Sequence, residues 1–319
     1  MADKEKKEEK DALERFITDQ NRALKNEDVP KENFYGTNNV DTMNFITVDL
    51  SLLPAGLFYK PGTLVMIKAA SVADVQAYSS IDDNNFLDVT EKMNDMLGKC
   101  VRIKNPNGTT GNYKDLKDND RLFLIFMIRE LTFQKNSNLS KDVTCQNCKN
   151  EFKIQFRSTP GPDSPKTFIN YDMDPELEPF FNKTDRTFDF VINEKLYKLA
   201  PPSISIQEIF FKNIREKVQT DKTPNVAFLK IIPFTLWDRK SITDDGIKAK
   251  EEEFKNMDME TFLLLDEVVG KMLFGIKELK STCPVCGEEV HADMTFPKGA
   301  SSIFKPSVTP FERMAKKSS

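Results

Sequence analysis

Two C-x-x-C pairs constrain this chain more than anything else in it. They are Cys145-Gln-Asn-Cys148 and Cys283-Pro-Val-Cys286, the second followed by Gly287. A C-x-x-C turn aims two thiolates at one point. Four thiolates complete a tetrahedral shell of the kind that usually holds zinc. A stretch of 134 residues lies between the pairs, far more than a compact zinc ribbon spans. If the pairs share one ion, that ion joins two distant parts of the chain. The chain starts Met-Ala-Asp-Lys-Glu-Lys-Lys, with no apolar signal segment. A reducing compartment is therefore expected, and there metal binding is favoured over two disulfides. The expected cofactor is structural zinc on Cys145, Cys148, Cys283 and Cys286.

Two other chemistries use the same residues. Cys283-Pro-Val-Cys286-Gly287 resembles a rubredoxin knuckle, which makes iron the alternative metal. A thioredoxin-like redox pair fits less well, because neither pair clearly opens a helix.

Composition narrows the functions. The 319 residues suffice for one large or two small domains, each with a core. A net charge of -4 gives no general attraction to nucleic acid or an anionic membrane. The longest apolar run, Leu122 to Ile128, falls well short of the ~18 residues of a membrane span. A single histidine leaves little room for histidine-based catalysis. Aspartate and glutamate are plentiful, but no pattern pairs them, so no catalytic set is expected.

Along the chain, residues 1–42 read as a flexible charged amino-terminal arm, with Leu13, Phe16, Ile17, Ala23 and Leu24 able to form one short amphipathic helix. Residues 43–157 read as a first α+β half. It opens with strands near Phe45–Leu50 and Leu64–Lys68 around the turn-rich loop Leu53-Pro-Ala-Gly-Leu-Phe-Tyr-Lys-Pro-Gly62. Ser71-Val-Ala-Asp74 has capping-box spacing. Phe86, Val89, Met93, Met96 and Cys100 share one helix face, so Cys100 is expected to be a core thiol and not a ligand. A buried helix runs from about Asp120 to Arg129. Then come the knuckle and the alternating Phe152, Ile154 and Phe156.

Residues 158–186, with prolines at 160, 162, 165, 175 and 179, read as a linker. Residues 187–298 repeat the grammar. Phe188–Ile192 and Lys195–Leu199 form a hairpin about Asn193-Glu194, Ser205–Glu208 has capping-box spacing, and a long helix is expected over Met259–Leu279. The second knuckle and the alternating Val290, Ala292, Met294 and Phe296 follow. The run Lys248–Glu253 reads as a solvated helix face. Residues 299–319 read as a tail. The expected fold class is α+β: two similar halves, each of hairpin, helices, knuckle and strand, joined through one shared four-cysteine zinc site.

Several stretches resemble the baseplate hub assembly proteins (hub assembly chaperones) of T-even-like contractile-tail phages. They are Leu53–Gly62, the Asp120–Arg129 helix, Val143–Cys148, Phe274-Gly-Ile276, Cys283–Gly287 and Ile303-Phe304-Lys-Pro306. Pro54-Ala55-Gly56 departs slightly from the family loop, which runs closer to Pro-Ser-Gly-Gly, and the amino-terminal arm lies outside the pattern. The resemblance implies a non-enzymatic role in building the central hub, in the host cytoplasm during assembly and with retention in the tail baseplate open. It implies other baseplate hub or tail proteins as partners. Two further readings compete: a zinc protein of phage transcription that binds nucleic acid, and an iron redox protein. Lys141, Lys149, Lys153 and Arg157 favour the former at the first knuckle. Glu288, Glu289 and Asp293 oppose it at the second.

Overall fold

Local chemistry sets the helix starts in the computed structural model, which describes residues 45–133, 139–156, 173–219, 230–235, 243–272, 278–293 and 299–304. The expected arm, 1–42, lies outside these residues, as do most of the expected linker, Arg157, Phe274 to Ile276, and Met294 and Phe296. Helix α1 (Val72–Ser79) begins at the capping box read from the sequence, with Ser71 and Asp74 each accepting from the other's backbone amide. Asn85 caps α2 (Phe86–Cys100) by accepting from the amides of Leu87 and Asp88. Helix α3 (Arg121–Phe133) follows a short 3-10 turn, and most of its first nine residues are buried. In the second half lie α4 (Ile204–Gln219), α5 (Asp244–Lys255) and α6 (Met259–Lys271). Among the described residues no helix is long and apolar enough to cross a membrane.

Two sheets back these helices. Strands β1 (Ile46–Val48), β2 (Leu64–Ile67), β3 (Val101–Lys104) and β4 (Thr110–Gly111) lie side by side in that order, all antiparallel. After two knuckle strands, β5 (Leu139–Thr144) and β6 (Glu151–Phe156), come β7 (Phe181–Asn182), β8 (Thr187–Ile192) and β9 (Lys195–Leu199), which form a three-stranded sheet. The β8–β9 turn puts Asn193 and Glu194 at φ 50° and 64°, the conformation a two-residue hairpin of this type demands. The last strands are β10 (Glu278–Thr282) and β11 (Glu289–Asp293).

Mixed helix and strand is the class expected. Four details differ. The helix expected over 259–279 ends at Lys271, and 278–282 is strand. Helix α4 starts before Ser205, so Ser205–Glu208 is not its capping box. The Glu208 carboxylate reaches across to accept from the Asn94 amide at 2.8 Å and the Tyr113 hydroxyl at 3.3 Å. Residues 173–186, read as linker, join the second sheet through β7 and bury Leu177. Residues 299–304, read as tail, return to the first core. Ile303 and Phe304 are buried there, Ser301 donates to Asp83, and the Arg129 guanidinium donates to the Ile303 carbonyl.

The described residues form one compact unit with two main cores. The first gathers Val65, Ile67, Leu97, Cys100, Leu124 and Ile128; the second gathers Phe188, Leu199, Phe210, Ile247, Leu265 and Val269. The 53–62 loop stitches them. Leu53 and Tyr59 sit in the first core, Ala55 and Phe58 in the second. Phe58 meets Phe181 and Phe188 edge-on, with ring centres 5.8 and 5.6 Å away. Gly56 passes so near Leu50 that a Cβ would lie 1.7 Å from its carbonyl oxygen. Only glycine fits there.

A second seam is backbone. Asp118 N–H donates to the Pro202 carbonyl and Ile204 N–H to the Leu116 carbonyl, at 2.9 and 2.8 Å. A third is the buried Asp120 carboxyl, which accepts from the Ala55 amide and the Tyr59 hydroxyl, both at 2.7 Å.

Candidate metal centre

The two knuckles are the same turn built from different sequences. Pairing in the first hairpin ends at Thr144 opposite Glu151, and in the second at Thr282 opposite Glu289. This leaves 145–150 and 283–288 as the connections. In each, the first cysteine's amide donates to the carbonyl of the last residue: Cys145 to Asn150 at 2.9 Å, Cys283 to Glu288 at 2.8 Å. In each, the fifth residue's amide donates back to the first cysteine's carbonyl: Lys149 at 2.9 Å, Gly287 at 3.0 Å. That fifth residue must be left-handed, and Lys149 has φ 61° where Gly287 has 74°. Glycine takes this conformation freely; lysine does so at a cost of about 1–2 kcal/mol.

The hairpins bring the four predicted ligands together. Cys145, Cys148, Cys283 and Cys286 are free thiols whose sulfurs all lie within 4.8 Å of one another. The Cys145–Cys286 and Cys148–Cys283 sulfurs are each 3.6 Å apart. A disulfide needs about 2.05 Å. Four sulfurs bound at about 2.3 Å around one tetrahedral ion stand roughly 3.8 Å apart. The donor set and spacing therefore fit a metal ion. Cys145 and Cys283 are buried on a small floor of Val143, Phe152 and Val290, while Cys148 and Cys286 are exposed.

Electrostatics follows the turn. The amides of Cys286 and Val285 point at the Cys283 sulfur and pull its pKa down to about 6. At Cys148 the Asn150 amide pulls down, but burial and the sulfurs of Cys286, Cys283 and Cys145 together push it up to about 12. Crowded thiols resist losing all their protons until a cation shares their charge.

Cys100 takes no part. It is fully buried on α2, its thiol 3.7 Å from the Met96 sulfur, and burial raises its pKa to about 11. His291 is exposed, with Nε2 3.0 Å from a Glu289 carboxylate oxygen. A cleft of about 480 Å³ between the knuckles is lined by Thr144, Gln146, Asn147, Glu288, Glu289 and His291.

Sequence reasoning missed the buried Asp120 group. Tyr59 accepts from the Lys117 amide and donates to Asp120, 61 residues away. No local pattern announces such a contact. Comparison with family models, with curated proteins and with solved structures returns no match.

Proposed function

We propose that the four thiolates hold a structural zinc and that this protein is a non-enzymatic structural or assembly component of a contractile-tail phage baseplate hub. The observation that carries the zinc reading is the spacing of four sulfurs from two remote hairpins, close to that of a tetrahedral site. Zinc would add no chemistry beyond binding here. The protein's own turns aim the sulfurs, and the floor of Val143, Phe152 and Val290 keeps water from the buried pair.

The assembly reading rests on the resemblance, two of whose stretches meet on one helix. The 53–62 loop hangs on Asp120 at the start of α3, and the 303–304 segment hangs on Arg129 in the same helix. The same contacts show that Phe58 and Tyr59 are spent on the two cores and are not free to anchor a hub partner.

The nucleic-acid reading loses ground at the knuckles. Lys153 lies 3.7 Å from Asp142, and the cleft carries Glu288 and Glu289. Iron would fit the same four sulfurs, and visible absorption of the purified protein separates it from zinc. Elemental analysis should return one zinc per chain; no metal, or two ions, sinks the shared site. Co-purification from infected cells should recover hub proteins, and a search of finished particles shows whether the protein remains in the virion. Recovery with nucleic acid and no tail protein would overturn the assembly reading.

A further inference from the structure

The two sulfur pairs at 3.6 Å have the same make-up. Each joins one hairpin to the other, and each matches an exposed cysteine with a buried one: Cys286 with Cys145, and Cys148 with Cys283. An accessible sulfur beside a sheltered one is the arrangement in which the first meets an oxidant and the second resolves it. We infer that the cluster is an oxidation-sensitive clip, in which hydrogen peroxide converts the four thiolates into two inter-hairpin disulfides, Cys145–Cys286 and Cys148–Cys283, and the metal is released. The release half of this rests on the zinc reading above; the pairing rests on sulfur positions alone.

The chemistry balances with peroxide as the oxidant. With a metal bound all four sulfurs would be thiolates, and the exposed one attacks a peroxide oxygen; an S–O bond forms, the O–O bond breaks and hydroxide leaves. The buried thiolate then attacks that sulfur; the S–S bond forms, the S–O bond breaks and a second hydroxide leaves. Two thiolates lose two electrons and one peroxide gains them, so the whole cluster consumes two. Each sulfur pair must close by about 1.5 Å to reach bonding distance. With all four thiolate charges gone, nothing remains to hold a dication. The hairpins stay tied, now by covalent bonds.

The test uses the full-length protein, purified reduced. Peroxide is titrated in while a chelating dye reads released metal, and peptides are then mapped without reduction by tandem mass spectrometry. The expected result is one ion released for about two peroxides consumed. Peptides carrying Cys145 and Cys148 should be linked to the peptide carrying Cys283 and Cys286 in the two stated pairs, with Cys100 still reduced. Thiol reductant and zinc should restore the starting state. Disulfides within each knuckle, sulfinic acids without disulfides, or metal retained after the thiols are consumed would each overturn the proposal. Protein that carries no metal before any oxidant is added defeats the zinc reading and the release step with it, and the disulfide map of that same sample still decides the pairing.

Discussion

The body of the protein and its pair of knuckle hairpins are held together by different means. In the body, Phe58 and Tyr59 cross from core to core, and Asp120 and the 116–118 to 202–204 backbone seam lie beside them. In the hairpin pair, Val143, Phe152 and Val290 floor the sulfurs, and Ile154 buries itself in the first core with Ala292 packed against it. Burying one such side chain contributes roughly 1.5–3 kcal/mol, and the knuckle ends beyond Val143 and Val290 have little other apolar support. The sequence alone suggested that the ion clips two halves of the chain to each other. The body already has three seams of its own. On the zinc reading, the ion's structural work would therefore be local: it would order the two knuckle ends against each other.

Metal removal is the strongest way to break that contrast. A structural zinc site contributes on the order of 10 kcal/mol in small zinc domains. Chelation, or Cys145→Ser, should strip hydrogen-exchange protection from the amides of the knuckle turns, 145–150 and 283–288, and weaken it in the strands that carry them. The α2 and α3 amides should remain protected. Simultaneous loss of protection in both regions would show that the ion does hold the body together.

Phe58→Ala attacks the other side. Truncating a buried phenylalanine costs about 3–5 kcal/mol, and here it removes two edge-on ring contacts as well. Thermal unfolding of the body should drop markedly while zinc content per chain is unchanged. A variant that melts as the parent does but no longer captures hub proteins would mean the loop faces a partner after all.

The Asp120 seam makes the body's stability depend on pH. Burial, opposed by bonds from the Ala55 amide and Tyr59 hydroxyl and by the Lys117 charge, raises its pKa from 3.8 to about 7. The folded state thus holds a proton that the unfolded state has released between those values. The contribution is complete below about pH 4 and is lost as pH rises through 7. Lys117, lowered by burial to about 8, acts above that window with the opposite sign. Comparing melting temperatures of the parent and Asp120→Asn at pH 5 and pH 7.5 isolates the carboxyl. The parent should lose more over that interval, and equal losses would remove Asp120 as the cause.

What the sequence made legible was local. Cysteine type and spacing pointed to the four thiols that cluster, Ser71 and Asp74 to a helix start, and Asn193-Glu194 to a hairpin. Strand β3 escaped because Val101 follows Cys100 with no glycine or proline between helix and strand. The end of α6 escaped because the apolar spacing runs on past Lys271. The burial of Ile303 escaped because its partner Arg129 lies 174 residues earlier. The part the 53–62 loop plays between the cores escaped because its anchor, Asp120, lies 65 residues away from Ala55. Charge pattern and periodicity report on a helix face or a turn, and long-range seams leave no such trace.

The smallest effect probes the contrast from inside the hairpin pair. Lys149 and Gly287 occupy the same left-handed position, yet only one has a side chain to strain there. Lys149→Gly should relieve about 1 kcal/mol in the first knuckle, and Gly287→Lys should cost a similar amount in the second. Neither residue touches the body cores. The change should therefore appear in zinc affinity and in hydrogen exchange of 139–156 or 278–293, with the body's melting temperature unmoved. Competition with a chelator of known affinity would show it as roughly a fivefold shift in zinc binding for each variant, in opposite directions, since 1.4 kcal/mol corresponds to about tenfold. Equal affinities across the parent and both variants would mean that the backbone of the turn contributes nothing to holding the metal.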